Sequence, residues 1–158
     1  MEKLLQTDQI VQLGLIVRDL ETTKRKVAAF LGVEVPPTVT SGEYEVTQTV
    51  YRGQPAPEAE CRMAFFYFGN LQVEFIQPND APSVWREHLE TRGEGLHHIA
   101  FAAKGMQRCI ERLEADGYPM VQKGEYRGNN GRYAYFDATD TLKMFFELLE
   151  SDEPKPES

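Results

Sequence analysis

Gly93-Glu94-Gly95-Leu96-His97-His98-Ile99-Ala100-Phe101 lies past the middle of a 158-residue chain, and its reading decides the fold. Leu96 to Ala102 reads as a strand with polar residues set into it. Met106 to Asp116 follows as a helix, with Cys109, Ile110 and Leu113 on one face and Gly117 as its stop. Pro119 to Tyr126, Arg132 to Asp137 and Lys143 to Leu149 read as three further strands. The order is strand, helix, strand, strand, strand.

Working outward, the same order precedes it. In Gln9 to Val17, Val11, Leu13, Leu15 and Val17 alternate with Gln12, Gly14 and Ile16, a period of two that predicts a strand. Asp19 is placed to cap a helix over Leu20 to Leu31, Gly32 stops it, and Pro36 and Pro37 keep it from resuming. Tyr44 to Tyr51 alternates and is expected to be the second strand. Arg62 to Phe68, a Gly69-Asn70 turn and Leu71 to Gln77 form a hairpin. A short helix over Ser83 to Glu90 joins the halves. Tyr51-Arg52-Gly53 echoes Tyr126-Arg127-Gly128, and Arg62-Met63-Ala64-Phe65-Phe66 echoes Arg132-Tyr133-Ala134-Tyr135-Phe136. Two βαβββ modules of about seventy residues are each too small to bury a good core. The expected arrangement is a single domain over residues 1–150, with modules at about 9–78 and 96–150 around a shared cleft. Residues 151–158 are expected to be a disordered acidic tail.

Composition narrows the function. Seventeen Lys and Arg against 25 Asp and Glu give a net charge of −8, unsuited to neutralising phosphates, so no nucleic-acid partner is expected. No apolar run reaches a membrane span, and the first ten residues resemble neither a signal nor a transit peptide. Cys61 and Cys109 stand alone, which fits free thiols in a reducing cytoplasm.

Four polar residues interrupt apolar strands: Gln12, Glu74, His98 and Glu147. A buried carboxylate without a partner is costly, and one falls in the last strand of each module. Gln12 and His98 hold matching places in the two first strands. Brought together about a pseudo-twofold axis, the four offer two carboxylates, an imidazole and an amide oxygen, a shell suited to Zn²⁺, Ni²⁺, Co²⁺ or Mn²⁺. Taken singly, His98 also reads as an ordinary core histidine, and the two glutamates as solvent-facing on a curved sheet. Strand alternation points His97 to the opposite face, as a structural residue, and His88 is expected on the solvent side of the joining helix. Phe65, Tyr67, Tyr133 and Tyr135 read as core or as cleft lining, with core favoured.

The run Gly93 to Phe101 resembles the central motif of methylmalonyl-CoA epimerases. Phe68-Gly69-Asn70-Leu71-Gln72-Val73-Glu74-Phe75-Ile76-Gln77-Pro78 and Val17-Arg18-Asp19-Leu20 resemble other segments of that family. The likeness runs over residues 9–150 and identifies the chain as a member of the vicinal oxygen chelate superfamily, which includes glyoxalase I, extradiol dioxygenases and antibiotic-sequestering proteins. It implies an α+β fold, two βαβββ modules forming a curved mixed sheet, and a divalent metal on Gln12, Glu74, His98 and Glu147. The epimerases carry His where this chain has Gln12; eukaryotic glyoxalase I carries Gln there, with Glu, His and Glu elsewhere.

The resemblance thus implies a metal-dependent isomerase of the epimerase type, moving a proton alpha to a thioester carbonyl, with Glu147 as base. The alternatives are a glyoxalase I-like lactoylglutathione lyase and a non-catalytic small-molecule binding protein. An Fe²⁺ dioxygenase, which uses two His and one carboxylate, fits less well. A second glutamate base falls in the region of Glu43, Glu45 and Gln48 without being fixed. The expected small-molecule substrate is an acyl-CoA or a glutathione adduct, with Lys123, Arg127 and Arg132 as a basic rim for phosphates. A homodimer is expected, with Trp85 offering apolar surface.

Overall fold

The computed structural model describes residues 4–154. In chain order it runs β1 (Ile10–Ile16), α1 (Leu20–Leu31), β2 (Val39–Thr40), α2 (Tyr44–Thr47), β3 (Val50–Tyr51), β4 (Gln54–Pro55), β5 (Cys61–Phe68), β6 (Leu71–Pro78), α3 (Val84–Thr91), β7 (Gly95–Ala102), α4 (Met106–Ala115), β8 (Met120–Glu125), β9 (Gly131–Ala138) and β10 (Met144–Ser151). The strands form one curved mixed sheet, ordered β2-β5-β6-β1-β7-β10-β9-β8-β3-β4, and the class is α+β. β1 and β7 pair antiparallel at the centre, and each has a parallel neighbour, β6 or β10.

Register carries the duplication down to single residues. Gln12 lies opposite Ala100 and Gly14 opposite His98. Glu74 lies opposite Gly14, and Glu147 opposite Ala100. Across the hairpins, Phe65 faces Glu74 and Tyr135 faces Glu147, so the Arg62–Phe66 and Arg132–Phe136 echo reflects equivalent places.

Alternation sorts the side chains between two faces. Leu15, Val73 and Phe75 join Leu20 and Ala28 of α1, while Ile99, Phe146 and Leu148 join Ile110 and Leu113 of α4. On the other face Ile16, Ile76, Tyr135 and Phe145 pack with Val84, Trp85 and Leu89 of α3. Asp19 caps α1 by accepting from Thr22 N at 3.0 Å, and Gly32 ends it with φ 68°. Gly105 gives α4 no side-chain cap, and Glu150 replaces it by accepting from the backbone N–H of Gly105 and Met106. Gln77, facing Arg62 as Glu150 faces Arg132, accepts from Leu20 N at the start of α1.

Several expectations need correction. Tyr44–Thr47 is a helical turn, closed by Gln48 at φ 45°, because Thr47 and Thr49 are the buried residues and not the Tyr44-Val46-Gln48 set. Val39–Thr40 takes the outer place beside β5, and β3 instead crosses to pair with β8 of the other module. Tyr51-Arg52-Gly53 therefore belongs to the β3–β4 hairpin and is not the counterpart of Tyr126-Arg127-Gly128, which follows β8. Trp85 is 3% exposed and donates from Nε1 to the Tyr135 hydroxyl at 3.1 Å, so it offers no surface to a second chain. His88 is buried as well, because Val84, Trp85, His88 and Leu89 form the inward stripe of α3.

At the C-terminal end β10 runs to Ser151, and Asp152 bonds to Asn130 O and to Arg132. The rest of the expected tail, residues 155–158, lies outside the described residues. Cys61 and Cys109 are free thiols. Among the described residues no helix is long and apolar enough to cross a membrane.

Candidate metal centre

The four central strands each contribute one donor to the face that α3 covers. Gln12 comes from β1, Glu74 from β6, His98 from β7 and Glu147 from β10, and all four are buried. His98 Nε2 lies 2.9 Å from Gln12 Oε1, 3.0 Å from Glu147 Oε2 and 3.7 Å from Glu74 Oε2. One ligand atom from each of Glu74, His98 and Glu147 lies within 4.8 Å of the others.

Gly14 makes the centre possible. A Cβ built there would lie 1.9 Å from Cε1 of His98, inside the space of the ring. A glycine within an apolar strand marks such a close approach, and Gly14 is that signal in the sequence. The amide of Gln12 is held from behind: its Nε2 donates to Gln72 Oε1, and Gln72 Nε2 donates to the Tyr67 hydroxyl. That leaves the Gln12 oxygen turned toward His98.

The electrostatics of the centre favour a positive charge. Burial, and then the neighbouring Glu147 carboxylate, push the Glu74 carboxyl well above the ordinary carboxylate range. Glu147 Oε2 is buried and makes no hydrogen bond, although His98 Nε2 is only 3.0 Å away; the separation qualifies but the geometry does not. His98 Nε2 bonds to Gln12 Oε1, while the carboxylate oxygens of Glu74 and Glu147 that face the same nitrogen make no hydrogen bond to it, and this convergence suits donors to a shared cation. A divalent ion of the Zn²⁺, Ni²⁺, Co²⁺ or Mn²⁺ class fits this mixed oxygen and nitrogen set.

His97 is not where alternation puts it. Gly14 pairs with His98 and the next residue, Leu15, with Leu96, so His97 is the extra residue of a β-bulge. The bulge cancels alternation and brings both rings to the same face, with Nδ1 of His97 2.9 Å from Nδ1 of His98. The His97 ring packs against His88, Tyr135 and Phe145. Burial first, then His98 and His88, hold its pKa well below the ordinary histidine value.

A cavity of about 760 Å³ opens onto Gln12, Glu74 and Glu147. Phe65, Tyr133 and Tyr135 line it, and both tyrosines also pack in the core, so the two readings of these aromatics are compatible. Tyr67 is 70% exposed and does not line it. Burial, then Glu147 and Glu74, keep the Tyr135 hydroxyl protonated far above the ordinary tyrosine value. Arg127 and Lys104 stand on the cavity wall. Lys123 does not, and Arg132 is tied to Glu125, Glu150 and Asp152. Glu43, Glu45 and Gln48 are exposed and do not line the cavity. Its further carboxylate among the described residues is Glu125, which sequence reasoning missed and which lies 3.3 Å from Arg132.

Residues 11–136 match the family model of the Glyoxalase/Bleomycin resistance protein/Dioxygenase superfamily. Over 94 residues the chain is 31% identical to the uncharacterized protein YqjC of Bacillus subtilis, covering 59% of this chain and 67% of that protein. Methylmalonyl-CoA epimerase from Mycobacterium tuberculosis is similar in structure with a TM-score of 0.66 at 20% identity, over 98% of this chain and 94% of that one. A Streptomyces coelicolor methylmalonyl-CoA epimerase variant in complex with 2-nitronate-propionyl-CoA gives 0.62 at 20% identity, over 92% and 98%. At such identities the structural likeness is one of fold. The family match spans most of the chain and agrees with the paired βαβββ frame, and the chain belongs to the Glyoxalase/Bleomycin resistance protein/Dioxygenase superfamily.

Proposed function

We propose that this protein is a metal-dependent isomerase that moves a proton at the carbon beside a thioester carbonyl. The observation that carries the reading is the convergence of Glu74, His98 and Glu147, with the Gln12 oxygen, at the buried end of an aromatic-lined cavity. A divalent cation held by these four residues supplies positive charge where an enolate develops. Glu147 takes the proton, since its Oε2 has no hydrogen-bond partner to give up. Glu74, from the other module, is the group assigned to the opposite face of the substrate. Tyr133, Tyr135 and Trp85 keep water from the reacting carbon. Arg127 and Lys104 meet the phosphates of an acyl-CoA at the cavity wall. The structural likeness to epimerases, one of which is bound to an acyl-CoA analogue, supports this substrate class. Trp85 no longer supports a homodimer, and the chemistry proposed needs no second chain.

A lyase acting on a glutathione thiohemiacetal is the second reading. It is favoured by Gln12, whose oxygen lies with the other donors and completes the Gln, Glu, His, Glu set that resembles glyoxalase I.

Deuterium exchange separates the two. The protein, loaded in turn with Zn²⁺, Ni²⁺, Co²⁺ and Mn²⁺, is incubated in D₂O with a 2-methyl-branched acyl-CoA and, separately, with a glutathione thiohemiacetal. Entry of deuterium beside the thioester carbonyl is the expected result. Conversion of the thiohemiacetal alone would move the assignment to the lyase. Inertness toward both substrates, with metal bound, leaves a binding protein of the same fold.

A further inference from the structure

We infer that His97 is a positioning residue that fixes the tautomer of His98, so that His98 presents an unprotonated Nε2 to the metal. The inference rests on the metal centre proposed above. Its starting point is the pair of Nδ1 atoms 2.9 Å apart, both buried. Two ring nitrogens at that distance share one proton, because two N–H groups pointing at each other would repel.

The surroundings decide where that proton goes when a cation is bound. His98 Nε2 faces Gln12 Oε1, Glu147 Oε2 and Glu74 Oε2, which is the donor side of the centre. Ligation through Nε2 needs its lone pair, so the His98 proton must sit on Nδ1. A buried Nδ1–H needs an acceptor, and His97 Nδ1 is in place to accept. The proton of His97 then sits on its own Nε2, a buried atom that no other hydrogen bond claims.

Metal-bound histidines usually donate their other N–H to a carboxylate or a carbonyl. Here an imidazole does so, and it adds no negative charge to a centre that already holds Glu74 and Glu147. Only the bulge permits this, since successive strand residues otherwise point apart. His88, Tyr135 and Phe145 fix the angle of the His97 ring by packing against it.

The test uses the whole chain labelled with ¹⁵N at histidine and titrated with Zn²⁺, read by long-range ¹H–¹⁵N correlation. In the metal-free protein a coupling across an N–H···N bond should join His97 and His98. With Zn²⁺ bound, the His98 proton should be on Nδ1 and the His97 proton on Nε2. A His97 proton found on Nδ1 in the Zn²⁺ form overturns the inference and leaves the metal centre standing. No response of any imidazole to Zn²⁺ overturns the metal centre, and this inference with it. For variants, His97→Phe should weaken Zn²⁺ binding by about 10- to 100-fold in competition with a chromophoric chelator. His97→Gln, whose amide oxygen can accept from His98 Nδ1–H, should recover most of that loss. Affinity unchanged in His97→Phe also overturns the inference. Should the variants not fold, the spectra of the unaltered chain decide alone.

Discussion

β1 supplies Gln12 and sets Gly14 opposite His98, whereas β7 supplies His98 and sets Ala100 opposite Gln12. The two strands hold equivalent places, yet the small residue differs with the donor it faces. An imidazole ring needs the whole volume of a missing side chain; a slender amide leaves room for a methyl group. The outer donors do not differ in this way: both are glutamates, each with an aromatic residue across its hairpin, Phe65 or Tyr135. The duplication is therefore kept where charge is needed and relaxed where shape is needed.

The largest expected effect tests the equality of the two glutamates. At saturating metal, Glu147→Gln should slow deuterium exchange on the order of 10² to 10⁴, the usual cost of losing a general base. Glu74→Gln should stop inversion while leaving exchange measurable, if each carboxylate serves one face. Equal loss of exchange in both variants removes the assignment of the base to Glu147.

Next in size is the test of the small residues. Gly14→Ala places a methyl group in the His98 ring and should destabilise the fold by about 1–3 kcal/mol, as overpacking does. It should also abolish Zn²⁺ binding. Ala100→Gly should cost only about 0.5–1 kcal/mol, the conformational price of a strand glycine, and keep the ion. Denaturant unfolding with and without Zn²⁺ measures both, and a Gly14→Ala protein as stable and as metal-competent as the original contradicts the close approach.

The mildest test is a pH titration of stability without metal. Because burial and Glu147 raise the Glu74 pKa on folding, its favourable contribution is complete below the ordinary value of 4.5 and is lost as pH rises through the folded value. The slope from this one group should not exceed about 1.4 kcal/mol per pH unit. Glu74→Gln should flatten it. Unfolding midpoints that are flat with pH in the unaltered, metal-free chain speak against the like-charge pair.

Much of this was legible in sequence. A strand that alternates faces announces a site when a polar residue falls among its buried positions, and Gln12, Glu74, His98 and Glu147 all do so. The helix ends were legible for the same local reason, through Asp19 and Gly32. What escaped depends on pairing. The bulge at His97 exists only relative to β1, and alternation within Leu96–Ala102 cannot reveal it. Tyr44–Tyr51 has a strand's pattern, but the place beside β5 in its own module is taken by Val39–Thr40. His88 and Trp85 were misplaced for a different reason: Val84, Trp85, His88 and Leu89 share the buried side of α3, and a helix of eight residues does not itself say which layer it will cover.

The position of β10 has a consequence for assembly. It is the last described strand in chain order, yet it enters near the middle of the sheet, between β7 and β9. Glu147 thus reaches the centre only when β10 has docked on β7, a pairing that the hairpin of β5 and β6 and the seam of β1 with β7 do not themselves need. A folding chain that lacks β10 offers Gln12, Glu74 and His98 as an open half-shell with a single negative charge. On the proposed function, tight capture of a divalent ion needs β10 in place, and an ion once held would act as a latch on that strand.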